Sequence, residues 1–164
     1  EAQAAWYLSQ KVNNKPTSLV LTRQNLPVLE NTSFEKVSKG AYVVYETSSD
    51  FDTILIATGS EVALAVDVAR ELEKEGSKVR VVSMPSVELF EEQSKEYKEE
   101  LLPRSVRRRV SLEMGNTALW YKYVGLDGLA IGIDNFGASA PANKVIEEYG
   151  FTVAKVVERI KNEL

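Results

Sequence analysis

The stretch Thr53-Ile54-Leu55-Ile56-Ala57-Thr58-Gly59-Ser60-Glu61 decides the fold. Its first six residues carry no charge and are rich in β-branched side chains. That is the pattern of a strand buried on both faces, in the middle of a parallel sheet. Gly59 leaves the strand, and Ser60 is a good N-cap for a helix starting at the next residue. From Glu61 the apolar residues switch to helical spacing: Val62, Ala65, Val66, Ala69 and Leu72 share a face. The spacing predicts a helix over 61–75, ended by Gly76. Strand, glycine turn and helix together are the opening of a βαβ unit.

Downstream the alternation continues. Lys78 to Met84 reads as a second buried strand through Val79, Val81 and Val82. Residues 87–101 read as one amphipathic helix with Phe90, Tyr97 and Leu101 on a stripe, stopped by Pro103. Arg108 to Met114 is a third strand. Asn116 caps a short helix, Thr117 to Val124, which Gly125 closes. Leu129 to Ile133 is a fourth strand. Pro141 lies in the first turn of a helix ending at Gly150, and Thr152 caps the last helix, carrying Val153, Val156, Val157 and Ile160.

Upstream, Tyr42-Val43-Val44-Tyr45 is a short strand, with the turn Thr47-Ser48-Ser49-Asp50 after it. The link to 53–58 is too brief for a parallel crossover, so this pair is expected to be antiparallel, with 42–45 at an edge. The fold class is therefore α/β, a three-layer αβα sandwich around a five-stranded, mostly parallel sheet with one antiparallel edge strand.

The first 40 residues fit that scheme less well. Residues 1–13 read as a helix with Ala4, Ala5, Leu8 and Val12 on one side, broken by Asn13-Asn14-Lys15-Pro16. Thr17 to Thr22 reads as a strand, and Arg23-Gln24-Asn25-Leu26-Pro27 leaves it. Residues 28–41 form a polar connector without sustained periodicity, ending in Lys39-Gly40. A domain boundary is expected there, giving units 1–40 and 41–164. The opening Glu1-Ala2-Gln3-Ala4-Ala5-Trp6 has no initiator Met and reads as the middle of a helix, so a longer parent is expected. Residues 1–40 would then have left most of their packing partners behind and be the least stable part.

Composition narrows the chemistry. The chain has 164 residues, 44% hydrophobic and 27% charged, which suits a folded domain rather than a disordered one. Twenty Lys and Arg against 24 Asp and Glu give a formal charge of −4, which disfavours nucleic acid as a partner. No apolar run is long enough for a membrane span. Cysteine and histidine are both absent, which removes thiol chemistry and the usual neutral-pH base and metal ligand.

Four places could carry function. Thr58-Gly59-Ser60-Glu61 could receive an anion at a helix N-terminus, but it lacks the spaced glycines of a dinucleotide loop and puts Glu61 where a phosphate would sit. Helix capping explains it more simply. The cluster Arg104, Arg107, Arg108 and Arg109 could bind phosphate, but Glu91, Glu92, Glu96, Glu99 and Glu100 lie close by in sequence, and local ion pairing accounts for it. Trp120-Tyr121-Lys122-Tyr123 is aromatic-rich. Adjacent helical residues diverge, so at least one ring should be in the core and at least one should face a neighbour. Arg23 directly follows an apolar run, and its fork of donors suits a phosphate. Capping of the strand end is the plainer account on physics alone.

These residues also carry a family likeness. Leu21-Thr22-Arg23-Gln24-Asn25-Leu26-Pro27 resembles the transketolase segment that closes the pyrimidine-binding domain. Ala57-Thr58-Gly59-Ser60-Glu61-Val62 and Val82-Ser83-Met84-Pro85-Ser86, continued by Leu89-Phe90-Glu91 and Gln93, are similar to the start of that family's C-terminal domain. Trp120-Tyr121-Lys122-Tyr123-Val124-Gly125, Phe136-Gly137-Ala138-Ser139-Ala140-Pro141-Ala142 and Glu147-Glu148-Tyr149-Gly150-Phe151-Thr152 resemble its later blocks, in family order. Each block is weak alone, and together they are specific.

The resemblance implies an enzyme that moves a two-carbon ketol unit from a ketose phosphate to an aldose phosphate in the pentose phosphate pathway. It implies thiamine diphosphate and magnesium in the full-length protein, a cytoplasmic homodimer, and partners in the remaining transketolase domains and the second subunit. It implies that Arg23 binds the sugar phosphate. It also implies that the metal-binding motif, the cofactor-activating glutamate and the active-site histidines lie outside this chain. No catalytic, cofactor-binding or metal residue is then expected here, and residues 41–164 would serve a structural, dimer-supporting role. Dihydroxyacetone synthase is the nearest rival. Deoxyxylulose-phosphate synthase and the pyruvate dehydrogenase β chain usually differ where this chain reads Ser83-Met84-Pro85-Ser86. A free-standing regulatory ligand-binding domain, or a pure association module, would be a different class of answer.

Overall fold

A computed structural model describes residues 1–164, and one five-stranded sheet organises them. The strands are β1 (Tyr42–Glu46), β2 (Thr53–Ala57), β3 (Val79–Ser83), β4 (Arg108–Leu112) and β5 (Leu129–Ile131). Their order is β1-β3-β2-β4-β5. β2 runs parallel to both β3 and β4, β4 runs parallel to β5, and only β1 is antiparallel. The central strand β2 is buried at all five positions, as its unbroken apolar run requires.

Alternation along the strands divides the core into two faces. Leu55, Val81, Val110 and Ile131 face one layer, built mainly from α3 (Glu61–Lys74) and α8 (Val153–Glu163), which bring Val62, Ala65, Leu72, Val156 and Ile160. Ile54, Ile56 and Val82 face the other, where Phe90 of α4 (Val87–Glu91), Leu101 of α5 (Lys95–Leu101), Tyr123 of α6 (Tyr121–Val124) and Trp120 just before it pack. Burying each large aliphatic side chain contributes about 1.5–3 kcal/mol, so the two layers together clamp the sheet between them. The remaining helices are short: α1 (Ala2–Ser9), α2 (Phe34–Val37) and α7 (Ala142–Glu148). No helix is long and apolar enough to cross a membrane.

The three-layer class and the antiparallel edge strand hold, and several local expectations do not. β1 lies at the edge but pairs with β3 rather than with β2, its neighbour in sequence, with a bulge between Val43 and Tyr45. The helix expected over 87–101 is broken. α4 ends at Glu91, and the Ser94 hydroxyl accepts the Tyr97 amide hydrogen at 3.2 Å to start α5. Ser60 does not cap α3: its backbone is already helical, and its hydroxyl bonds the Glu61 carboxylate instead. The helix expected over 1–13 stops at Ser9, and the helix over 117–124 begins as a 3-10 turn, Thr117–Leu119. The connector hides α2, capped by the Ser33 hydroxyl. The strand expected over Thr17–Thr22 does not form. A strand exists only through its ladder, and this segment has no backbone partner in the chain.

Gly40 fixes the approach of the chain to the sheet. Its φ is +81°, and a Cβ there would lie 2.2 Å from the Phe90 backbone nitrogen and 2.4 Å from the Ser86 carbonyl oxygen. Only glycine lets these backbones touch.

Candidate functional site

In an open α/β sheet, ligands collect beyond the C-terminal strand ends where the strand order reverses. Here β2 leads outward to β3 on one side and has β4 on the other, so the reversal lies between β2 and β4. The Gly59–Glu61 junction sits there. Glu61 is only 5% exposed. Its Oε1 accepts the Ser60 hydroxyl hydrogen at 2.6 Å and its Oε2 accepts the Met114 amide hydrogen at 3.2 Å, tying α3 to the end of β4. Burial pushes the Glu61 carboxyl up from its ordinary value, the Ser60 and Met114 bonds oppose this, and the nearby Glu113 charge reinforces it.

Neighbouring carboxylates are also engaged. Glu113 accepts the Trp120 indole hydrogen. Asp134 accepts from the Thr117 amide at 2.9 Å, from the Thr117 hydroxyl and from the Asn116 side chain. The reversal point is thus lined with acids bound to their own chain. They brace the loops after β4 and β5, and they would repel a phosphate. The junction is a structural brace rather than an anion site, and the bracing residue is Glu61 and not the expected cap Ser60.

The arginine cluster is dispersed by the fold. Arg104 pairs with Glu99 at 3.5 Å and Arg107 with Asp127. Arg109 turns inward and donates to four carbonyls, of Val106 at 2.8 Å, Tyr123 at 3.0 Å, Leu102 at 3.1 Å and Pro103 at 2.8 Å. It closes the end of α5 and α6 against β4. The aromatic block divides as its helical geometry demands. Trp120 and Tyr123 are buried, and Tyr121 is 57% exposed. Tyr123 also donates to Glu91 at 2.6 Å, and Lys122 and Lys98 pair with that same carboxylate.

Arg23 is placed apart from all of these. It is exposed, and its guanidinium forms no hydrogen bond or ion pair within the chain. The segment that bears it is equally free of packing, with Val20 95% exposed and Leu21 66% exposed. The preceding helix does dock. The Glu1 carboxylate accepts hydrogen bonds from the Tyr42 and Ser83 hydroxyls, and Lys15 pairs with Glu92 at 2.9 Å. None of these long-range bonds leaves a local sequence signal, because the partners lie 41 to 82 residues apart.

A metal-linked diphosphate needs converging ligands. No three His, Cys, Asp or Glu side chains are grouped so as to hold a metal ion. The residues of this chain therefore do not fit thiamine diphosphate with its metal.

Comparison with known proteins agrees with the motif order. The family model described as "Transketolase-like TK C-terminal domain" matches residues 40–152. A probable transketolase of Streptococcus pneumoniae is 64% identical over 162 residues, covering 99% of this chain and 25% of that protein. Bacillus subtilis transketolase is 53% identical over 165 residues, covering 98% of this chain and 25% of that protein. The crystal structure of Pichia stipitis transketolase complexed with sedoheptulose 7-phosphate superposes with a TM-score of 0.90 at 41% identity, over 98% of this chain and 23% of that one. The chain thus spans about a quarter of the length of these relatives. On matches of this extent and identity, the chain belongs to the transketolase-like C-terminal domain family.

Proposed function

We propose that this chain is the C-terminal part of a transketolase, and that its direct contribution to the reaction is one phosphate-binding side chain, Arg23. In this reading residues 1–40 are the tail of the pyrimidine-binding domain with its linker, and residues 41–164 are the C-terminal domain. The whole enzyme transfers a two-carbon ketol unit between sugar phosphates, as a cytoplasmic homodimer of the pentose phosphate pathway. Thiamine diphosphate and magnesium supply the carbanion chemistry from upstream segments. The Pichia relative's complex with sedoheptulose 7-phosphate supports a ketose phosphate as substrate class.

The observation that carries this is the state of Arg23: a guanidinium with all its donors free, on a segment outside helix and strand that its own chain does not cover. Arg109 and Arg80, by contrast, give their donors to carbonyls and a carboxylate. Arg23 keeps its planar fork for a ligand, and two parallel hydrogen bonds to a phosphate are what that fork suits.

The reading is tested by turnover. The purified chain, given thiamine diphosphate, magnesium, a ketose phosphate and an aldose phosphate, should form no ketol-transfer product, while the parent enzyme does under the same conditions. Thiamine-dependent product from the chain alone would refute it.

A further inference from the structure

Beside the edge strand β1 lies a depression of about 260 Å³. Three cations line it, and they come from two parts of the chain: Lys36 of α2 with Lys39 of the turn just after it, and Arg80 from β3. Glu100 is the one carboxylate in the lining, so the depression is positive within a chain whose formal charge is −4. Two of the three, Lys36 and Lys39, belong to the polar connector, where the sequence alone marks no site.

All three cations are held in position by contacts within the chain; Lys36 and Lys39 have no carboxylate partner, while Arg80 is paired with Glu46 and keeps one free guanidinium corner. Lys39 Nζ stands 4.4 Å over the Tyr97 ring and makes no ion pair. Tyr97 is itself fixed, because its hydroxyl donates to the Ala41 carbonyl at 2.7 Å. Lys36 Nζ is anchored on Asn31, through the backbone carbonyl at 3.2 Å and the side-chain oxygen, and it too has no carboxylate partner. Arg80 gives Nε to Glu46 and Nη1 to the carbonyls of Glu100 and Leu101, and its Nη2 has no acceptor in the chain. Two unpaired ammonium groups and the free corner of a paired guanidinium therefore line one hollow, each held by a contact within the chain. Ordering them beforehand removes part of the entropic cost that a ligand would otherwise meet.

The geometry points to a phosphate-binding site at the β1 edge, formed by Lys36, Lys39 and Arg80 and taking inorganic phosphate or a small phosphate monoester. Separate ammonium groups and one guanidinium corner match a tetrahedral oxyanion better than a planar carboxylate, whose two oxygens cannot reach three directions at once. The volume exceeds one phosphate group and falls short of the roughly 300–1,000 Å³ usual for larger organic ligands, so the ester carries only a few further atoms. Glu100 on the rim weakens the site and makes the affinity modest and sensitive to salt. This site is separate from Arg23, and it does not depend on the reading of that residue.

The test is a nitrogen-15 NMR titration of the chain with sodium phosphate, at constant ionic strength and pH 7.5, against sodium chloride. The expected result is saturable shifts of the Ala41, Tyr42 and Val43 amides in phosphate only. The double variant Lys36→Gln/Lys39→Gln should keep the native spectrum elsewhere and bind at least about fivefold more weakly, the scale of losing two partly exposed charge contacts. Lys144→Gln, an exposed lysine without an ion pair, should bind as the unaltered chain does. Glycerol 1-phosphate added in the same way separates the sources. Tighter binding than inorganic phosphate assigns the site to an ester, and weaker binding assigns it to the free ion. Shifts that drift linearly, shifts that appear equally in chloride, or a double variant that binds undiminished would overturn the proposal. Loss of activity in an Arg23 variant of the parent enzyme would leave these results unchanged, so the two readings fail separately.

Discussion

The Glu61 carboxylate reaches from the first turn of α3 to the Met114 amide at the end of β4, 3.2 Å away and 53 residues distant in sequence. This bond, more than any capping hydroxyl, joins the central strand's helix to the neighbouring strand. It places an acid at a helix N-terminus, where the dipole favours the charged form, yet inside a pocket where burial disfavours it. Burial wins, and the carboxyl holds its proton more tightly in the folded state than in the unfolded chain.

That imbalance has a sign that can be measured. For an acid raised above its ordinary 4.5, the stabilisation is fully present below that value and fades as pH rises through the raised one. Glu61→Gln keeps an acceptor for the Met114 amide and does not titrate. Its stability relative to the unaltered chain should therefore improve as pH rises above 4.5. Glu61→Ala orphans the Met114 amide and should cost about 1–3 kcal/mol. Urea unfolding across that pH range measures both.

Glu91 should behave in the opposite way. Lys122, then Tyr123 and Lys98, hold its carboxyl down to about 2. A depressed acid stabilises the fold above its ordinary value of 4.5, and that contribution is lost as pH falls from there toward about 2. In acid titrations monitored by circular dichroism, Glu91→Gln should show a shallower loss of stability over this window than the unaltered chain. Because the group is about one-third exposed, the difference should shrink in high salt.

Two glycines with similar backbone angles should respond very differently to alanine. Gly40 at φ +81° would drive a Cβ into the Ser86 and Phe90 backbones, whereas Gly76 at φ +92° opens onto free space. Gly76→Ala should cost about 1–2 kcal/mol, the left-handed penalty alone. Gly40→Ala should cost well beyond this, enough to lower the melting temperature by more than about 10 °C in a domain of this size. Equal losses would mean that the close approach at Gly40 relaxes easily.

The legible part of the fold is the part written in local periodicity. The run Thr53–Ala57 and the face Val62, Ala65, Val66, Ala69 and Leu72 are such signals, and they specify the sheet centre and its covering helix without help. The split of Trp120 and Tyr123 from Tyr121 comes from helix geometry alone. The partner of β1 does not, because strand order is a non-local choice and β3 and β4 occupy both edges of its sequence neighbour β2. Thr17–Thr22 shows the limit from the other side. Its residues favour a strand, but without a ladder partner in the chain the propensity has nothing to act on. At the candidate sites, Arg23 is visible in the sequence as an arginine after an apolar run. Its freedom from partners is not, nor is the convergence of Lys36, Lys39 and Arg80, which come from parts of the chain up to 44 residues apart.

The decisive experiment is a kinetic comparison on Arg23→Ala in the parent enzyme, with a phosphorylated aldose and an unphosphorylated short aldehyde as acceptors. A charge-assisted bidentate contact to phosphate predicts KM for the phosphorylated acceptor about 10- to 100-fold higher, with the unphosphorylated one little changed. Equal effects on both acceptors, or none on either, would contradict it.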